Sequence, residues 1–532
     1  MLKKLWQHKW WLAVAAGISV FLAFPCFYLV PTILFFPLLT IRSAELCKTF
    51  KQAFWVGFLT SFMIMLGGFY WVTYVIHEFG YLPWPIAGLV FLGFSGYGAL
   101  NFPIFTTLVF AIEKTAKVSR LPPLRRDLWL VFGYPALFTL IEYTFPKLFP
   151  WYLGHCLYQA VWLTQIVEFT GSVFLTFAVM SLGGLVYAAF ETVLASNSLA
   201  KRWVLTFPIA LWVFMAGISI QQLRKPIEGH PLRVALIQAN IGSLEKVAAR
   251  SGFENKMRLT LDTHIRLTDQ AMQASPRPDL ILWPETAMPF QMEYEGGKYA
   301  GEVRQHVKRW GVPLITGGYG SNPLNFYGDY NTAFLLEPLP DGTLRLERYH
   351  KNILLAFGEY MPFGEWFPIL YKKFPQVSNF ERGRTQDPFV LRDGTRLGVT
   401  ICYEAIVPSF FRKTASHDVN LMVNLTNDSW FGPTAEPYLH GSLTVFRAIE
   451  TRKPLVRVTN TGTSFTVDRN GRQSTLTRVY GEDTLINDLQ YGETGELTWY
   501  VRYGDWFVVL LLLAFTAFAM IELRKKHVPL SR

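Results

Sequence analysis

The sequence predicts a multi-span α-helical membrane part that carries an α/β domain outside the bilayer. Three observations predict it. Hydrophobic residues make up 51% of the 532-residue chain and charged residues only 17%, where a soluble domain carries about 25% charge. Long apolar runs gather at the two ends of the chain, whereas the stretch between about 221 and 503 is charged throughout and broken into short β-like runs. Basic residues in the apolar parts fall almost entirely in alternate loops, as the positive-inside rule requires of a polytopic protein. A wholly soluble, disordered or fibrous protein is excluded by this composition.

The first apolar run, Trp10 to Ile41, carries no charge. One helix of that length would measure about 48 Å against roughly 30 Å of hydrocarbon. Pro25 and Pro31 interrupt it, so two short spans joined by a tight turn are expected. Further spans are expected over Ala53–Ile76, Trp84–Ile112, Leu128–Phe145, Phe169–Phe190, Trp203–Ile220 and Trp506–Ile521, about eight in all. Lys3, Lys4, Lys9, Arg42, Lys48, Lys51, Lys114, Lys117, Arg120, Arg125, Arg126, Lys201, Arg202, Arg524, Lys525, Lys526 and Arg532 mark one side. The opposite short loops carry only Lys147. With an even number of spans, both termini are expected in the cytoplasm and the charged segment on the far side. The expected organisation is thus 1–220 (seven helices), 221–503 (outer domain) and 504–532 (last helix and basic tail). The net charge of +11 is then loop charge, and no nucleic-acid partner is expected.

In the outer segment, apolar strands are expected at Arg233–Ala239, Asp279–Trp283, Val312–Thr316, Asn331–Glu337, Thr343–His350, Leu397–Cys402, Asn420–Leu425, Pro454–Thr459 and Ser464–Asp468. Helical stretches such as Glu254–Gln273 and Gly301–Arg309 lie between them. Alternating strands and helices, with several strands continuously apolar, point to a sheet covered by helices.

Four cysteines rule out a disulfide scaffold, and their spacings match no zinc motif. Cys402 stands alone in the outer domain, at the end of the strand LGVTIC, as a nucleophile at a strand-to-helix elbow does. Its ordinary alternative is an inert buried thiol. Glu285 follows DLILWP, where Pro284 stops the strand. Beside Trp283 a partly desolvated carboxylate gains basicity, although a surface-loop Glu is the ordinary reading. Lys351 follows a strand and can hold an oxyanion by its charge. Glu359, eight residues on, can orient it or pair with it as any salt bridge would. Glu404 is a site carboxylate or a surface residue by the same reasoning.

Together, WPE at 283–285, HK with FGEYMPFG at 350–364, CYE at 402–404 and the run from Asn424 to Ser464 resemble the Glu-Lys-Cys pattern of the nitrilase superfamily. With the flanking spans, the whole chain resembles the bacterial apolipoprotein N-acyltransferase family. The resemblance implies an αββα sandwich, with Glu285 as general base, Lys351 as oxyanion stabiliser and Cys402 as nucleophile. Glu359, Tyr403 and Glu404 match positions that the family uses around the site. It further implies a ping-pong acyl transfer with no metal or soluble cofactor, in the bacterial cytoplasmic (inner) membrane. The donor would be a phospholipid, through the sn-1 chain of phosphatidylethanolamine, and the acceptor the N-terminal amine of a diacylglyceryl-cysteine lipoprotein. The chain is expected to act as a monomer. It departs from the family in NIGSLEKVAAR, which lacks the Trp that members carry after the first domain strand.

Exposed apolar and basic residues between Phe363 and Phe374, Trp366 and Phe367 foremost, suit an interfacial flap or a packed loop. Trp151 is a candidate for the acyl or headgroup path, or an interfacial anchor. Asn427 and Trp430 either shape the pocket or make a turn. Two rivals stand beside acyl transfer. A membrane-tethered amidase or nitrilase would use the same residues with water as acceptor, but needs far fewer spans. A transporter or receptor would place ionisable residues inside its spans, and only Glu142 and Glu168 qualify.

Overall fold

The computed structural model describes residues 5–25, 27–194, 203–242, 254–294, 297–321, 329–373 and 377–524. Lys3, Lys4, Cys26, Lys201, Arg202, Phe374, Lys525, Lys526, Arg532 and most of NIGSLEKVAAR lie outside them. The chain forms two compact units. One comprises residues 1–73, 83–225 and 503–532, and the other 74–82 and 226–502.

The helical unit holds the several apolar helices expected of it. Among the described residues, Phe50–Gly68, Val173–Thr192 and Thr206–Leu223 are long and apolar enough to cross a bilayer. Trp84–Gly98 and Asn101–Ala116 make a fourth if taken as one span bent by 40°. Three or four of the described helices therefore meet the length criterion. Lys9–Ala23 and Trp506–Glu522 are apolar but shorter. The 15 residues of Lys9–Ala23 rise only about 22 Å, short of the hydrocarbon thickness, whereas the last helix runs on to Arg524, 19 residues in all. The fifth expected span contains a π-turn at Trp129–Gly133 within a continuous helical run from Pro123 to Thr144.

Small residues and aromatic rings bring these helices together. A Cβ on Gly184 would stand 2.0 Å from the Leu130 carbonyl oxygen, so only glycine permits that approach. Phe36, Phe102 and Phe138 stack edgewise or tilted at 5.3–5.6 Å in the interior. Glu142 is not a path-lining charge. It accepts the Leu153 backbone N–H at 2.8 Å and the Thr176 hydroxyl at 2.7 Å, and fastens the 147–157 loop to the helix beside it.

Among the described residues, the second unit has twelve strands. They are β1 (His230–Gln238), β2 (Leu280–Leu282), β3 (Met288–Gln291), β4 (Leu314–Ser321), β5 (Asp329–Pro338), β6 (Leu344–His350), β7 (Phe389–Val390), β8 (Arg396–Ile401), β9 (Leu421–Thr426), β10 (Leu455–Thr459), β11 (Phe465–Val467) and β12 (Asp483–Tyr491). One sheet has the order β12-β1-β2-β4-β5-β6 with β3 on β4, and the other β11-β10-β9-β8-β7. Nine strands match the sequence expectation. The strands β3, β7 and β12 were not anticipated; β12 is a half-buried edge strand of mixed polarity paired antiparallel to β1.

The period-2 alternation of strands sorts side chains into two cores. Val234, Leu236, Leu280 and Leu282 meet Val399, Ile401, Val423 and Val456 between the sheets. Ala235, Ile237, Ile281 and Trp283 point the other way, against Leu261, Ile265, Val303 and Val307 of helices Glu254–Ala271 and Lys298–Trp310. Helices Pro408–Ala415 and Glu436–Thr451 pack on the second sheet through β8 and β10. The layering is helix, sheet, sheet, helix.

Candidate active site

Parallel pairing of β1 with β2 and of β8, β9 and β10 with one another brings several carboxyl ends to one edge of the sandwich, where open α/β sheets build their sites. Trp283 makes the last β2 bond, its N–H donating to the Ile315 carbonyl at 2.8 Å. Pro284 then ends the strand, and Glu285 follows, 5% exposed. A Cβ on Gly317 would lie 2.6 Å from the Glu285 Cα, so glycine is required for this approach. Trp283 does not wall the carboxylate. Its indole N–H donates to the Thr268 hydroxyl at 2.9 Å and its ring packs near His264, in the outer core.

Lys351 follows β6, its backbone N–H donating to the Asn331 carbonyl at 2.8 Å. Its buried ammonium donates to Glu285 Oε1 at 3.2 Å and Glu359 Oε1 at 2.8 Å. Asn331, near the start of β5, donates from one amide nitrogen to the same two carboxylates, at 2.7 and 2.8 Å. Burial opposes the Lys351 charge, but Glu285, Glu359 and Cys402 outweigh it and hold its pKa well above the ordinary lysine value.

Cys402 begins a short 3-10 turn directly after β8, with φ +51°. A non-glycine residue in this region costs about 1–3 kcal/mol and persists only where its surroundings fix it. Burial raises the thiol pKa well above the ordinary value, Glu285 raises it further, and Lys351 works the other way. The resting sulfur is therefore a protonated thiol beside a carboxylate, and attack needs a base at the moment of reaction.

Glu404 joins the cysteine turn to the lysine loop. Oε2 accepts the Ile401 N–H at 2.8 Å and the Tyr349 hydroxyl at 2.8 Å, while Oε1 accepts the N–H groups of Asn352 and Ile353 at 2.5 and 3.0 Å. Burial pushes its pKa up to about 7 against these bonds. Burial likewise pushes Tyr403, partly exposed on the same turn, up to about 12.

Behind the cysteine, Arg457 is fully buried. It donates to Asn424 Oδ1 at 2.6 Å and Asp428 Oδ2 at 3.1 Å, and Asn424 in turn reaches the Cys402 carbonyl at 3.4 Å. Asp428, Glu436 and His440 lie close enough to share a metal ion. Asp428 is already engaged, however, by Arg457 and by His440 Nδ1 at 2.9 Å. Burial works against its charge, but these two neighbours keep its pKa below the ordinary carboxylate value. The group is a buried hydrogen-bonded cluster built on the Arg457–Asp428 ion pair.

The remaining candidates divide. Asn427 is buried; its Oδ1 accepts from Ser429 and, at 3.0 Å, from Asn460, and its amide comes within 3.5 Å of the Thr286 hydroxyl next to Glu285. Trp430 packs on Phe79, ring centres 4.3 Å apart, within the same unit. Trp366 and Phe367 are 75% and 58% exposed and outside the cluster. Trp151 belongs to the helical unit, where its ring meets Phe24 at 5.5 Å and its carbonyl accepts from Lys147 at 2.6 Å. Sequence reading missed Asn331, Asn424 and Arg457. The only local signal for them was a polar residue inside an otherwise apolar strand.

Residues 16–185 match the apolipoprotein N-acyltransferase N-terminal domain, and residues 233–498 match the carbon-nitrogen hydrolase family. An apolipoprotein N-acyltransferase of Bdellovibrio bacteriovorus is 34% identical over 96% of this chain and 93% of its own length. The chain belongs to the apolipoprotein N-acyltransferase family. A second member, from Geobacter metallireducens, is 31% identical over 98% of the chain and 96% of its own length. Among solved structures, an amidase from Nesterenkonia sp. aligns with a TM-score of 0.37 at 19% identity, covering 53% of this chain and 97% of that one. Membership in the family makes the chain an N-acyltransferase-like enzyme of the nitrilase and amidase superfamily, with lipid and lipoprotein substrates in general.

Proposed function

We propose that the protein transfers an acyl chain from a phospholipid, the sn-1 chain of phosphatidylethanolamine, to the N-terminal amine of a diacylglyceryl-cysteine lipoprotein. The observation that carries this reading is the buried Lys351 held between Glu285 and Glu359 beside a positive-φ Cys402, in a chain that belongs to this family. Glu285 takes the Cys402 proton, and the thiolate attacks the ester carbonyl. Lys351 and the Tyr403 backbone N–H hold the oxyanion. Glu285 returns the proton to the departing glycerol oxygen, lysophospholipid leaves, and an acyl thioester remains. The acceptor amine then attacks, Glu285 relays its proton to the Cys402 sulfur, and the amide forms. Every proton is accounted for by side chains, so the two half-reactions call for no cofactor.

Glu359 and Asn331 orient Lys351 and Glu285 in this scheme, and Glu404 keeps the two loops in register. Exposed Trp366 and Phe367 form an interfacial flap, Trp151 contributes to the lipid path, and Asn427 and Trp430 border the pocket. The basic-residue asymmetry supports a multi-pass inner-membrane protein with cytoplasmic termini and the residue 221–503 domain outside, acting as a monomer.

The carbon-nitrogen hydrolase match favours one second reading, an amidase or nitrilase with water as acceptor. Purified protein given labelled phosphatidylethanolamine should carry label on Cys402, then pass it to a diacylglyceryl peptide. Release of free acid or ammonia with no N-acylated peptide would establish the hydrolase instead.

A further inference from the structure

The segment 378–384 is strapped along the lysine loop. Phe380 N–H donates to the Glu359 carbonyl at 3.1 Å, and Gly383 N–H to the Lys351 carbonyl at 2.8 Å. A Cβ on Gly383 would stand 2.1 Å from the His350 carbonyl oxygen, so glycine is required for this close approach. Arg382 and Arg384 flank that glycine. Both are exposed, and neither makes an ion pair among the described residues. Both line an open cavity of about 620 Å³, walled also by Tyr360, Trp366, Glu365 and Glu381. Its volume falls in the range of small-molecule sites, about 300–1,000 Å³. The Arg382 guanidinium lies 4.8 Å over the Tyr360 ring, next in sequence to Glu359, which fixes its plane while leaving its N–H groups available.

The combination is specific in its chemistry. Two unpaired guanidinium groups make a fork for phosphate oxygens. Two carboxylates in the same walls balance their charge, which suits a headgroup carrying both a phosphate and an ammonium better than a purely anionic one. Trp366, 75% exposed, borders the same cavity and supplies an amphipathic edge where chain meets headgroup.

We infer that this cavity is the headgroup subsite for the acyl donor, with Arg382 and Arg384 binding its phosphate diester and Glu365 favouring a zwitterionic partner. The inference rests on the proposed phospholipid donor and adds the residues that select it. It places recognition one residue either side of Gly383, whose N–H meets the Lys351 carbonyl.

The test uses the full chain in nanodiscs. Acyl-Cys402 formation is followed by mass spectrometry with three donors: phosphatidylethanolamine, phosphatidylglycerol and a galactosyl diacylglycerol without phosphate. The Arg382→Gln/Arg384→Gln variant should raise the apparent KM for both phospholipids about tenfold or more, with kcat within about twofold and the galactolipid unaffected. The Arg382→Lys/Arg384→Lys variant, which keeps the charge, should recover part of the loss. Glu365→Gln should erode the preference for phosphatidylethanolamine over phosphatidylglycerol. An unchanged phospholipid KM in a glutamine variant with wild-type melting temperature and Cys402 alkylation would overturn the subsite. An equal loss with the galactolipid, or a shift confined to the lipoprotein acceptor, would do the same. If the unmodified protein forms no acyl-enzyme from any phospholipid, the donor assignment and this subsite fall together.

Discussion

Glu404 Oε1 accepts the backbone N–H of Ile353 at 3.0 Å, across 51 residues of sequence. Through its other oxygen it holds Ile401, so one carboxylate fixes both the turn of Cys402 and the loop of Lys351. Three of its four partners are backbone N–H groups, at least one on each oxygen, and none of these can accept from an amide N–H. Glu404→Gln should therefore force a donor against donors and cost about 2 kcal/mol, with a parallel loss of acylation. Thermal melting and acyl-enzyme formation measured together check this; a stable, fully active Gln variant would remove Glu404 from the positioning scheme.

Cys402→Ala should abolish the hydroxylamine-sensitive acyl adduct, since the proposed thioester forms on this sulfur. Glu285→Gln should block acylation itself, because the resting thiol is protonated. Intact-mass spectra of both variants incubated with donor decide the matter. An adduct persisting in the first, or normal thioester build-up in the second, names a different nucleophile or base.

The pH dependence of Cys402 follows from its neighbours. Burial and Glu285 raise its pKa and Lys351 lowers it, so iodoacetamide alkylation should continue to rise above pH 9 rather than level off near the ordinary thiol value. Removing the ammonium in Lys351→Met leaves only raising influences, which moves the profile to still higher pH and slows alkylation at any fixed pH below it. Peptide mapping of alkylated Cys402 across pH reads this directly, and a profile moving to lower pH contradicts the electrostatic assignment.

Arg457 is a buried cation paired with Asp428. Removing one partner of such a pair costs about 3–5 kcal/mol, so Arg457→Met should sharply lower the melting temperature. Asn424→Asp keeps a partner for Arg457 but loses the N–H that faces the Cys402 carbonyl. It should fold and acylate more slowly with little change in donor KM. Calorimetry with single-turnover acylation separates the two effects.

Trp366 and Phe367 are exposed on the α/β unit. Trp366→Ala/Phe367→Ala should leave melting unchanged, since little buried area is lost, and should weaken processing of bilayer donors. Activity compared on vesicles and on short-chain soluble donors checks it; equal activity on both would reduce the flap to a surface loop.

Much of the outer fold was legible because apolar runs such as LGVTIC and NLMVNL mark buried strands wherever they occur. The edge strand β12 was not, since its residues are half exposed and carry a mixed pattern. Hydropathy records apolar length, and it does not show where a helix takes up a π-turn, as at Trp129, or bends, as after Gly98. Glu285, Lys351 and Cys402 were legible as strand-end residues. Trp283 was misjudged as a wall of the site, because the alternation that buries it turns its ring to the opposite face.

The sequence by itself determined the division into apolar ends and a charged middle, the order of strands and helices, and the residues at the strand tips. These depend on local periodicity and on chain breaks at proline and glycine, which each segment carries within itself. Only the tertiary structure decided that Lys351 sits between two carboxylates, that Asn331 bridges the same pair, and that Glu404 spans the lysine and cysteine loops. Those contacts join residues up to 66 positions apart, and they exist because strand pairing, not sequence proximity, sets which tips meet.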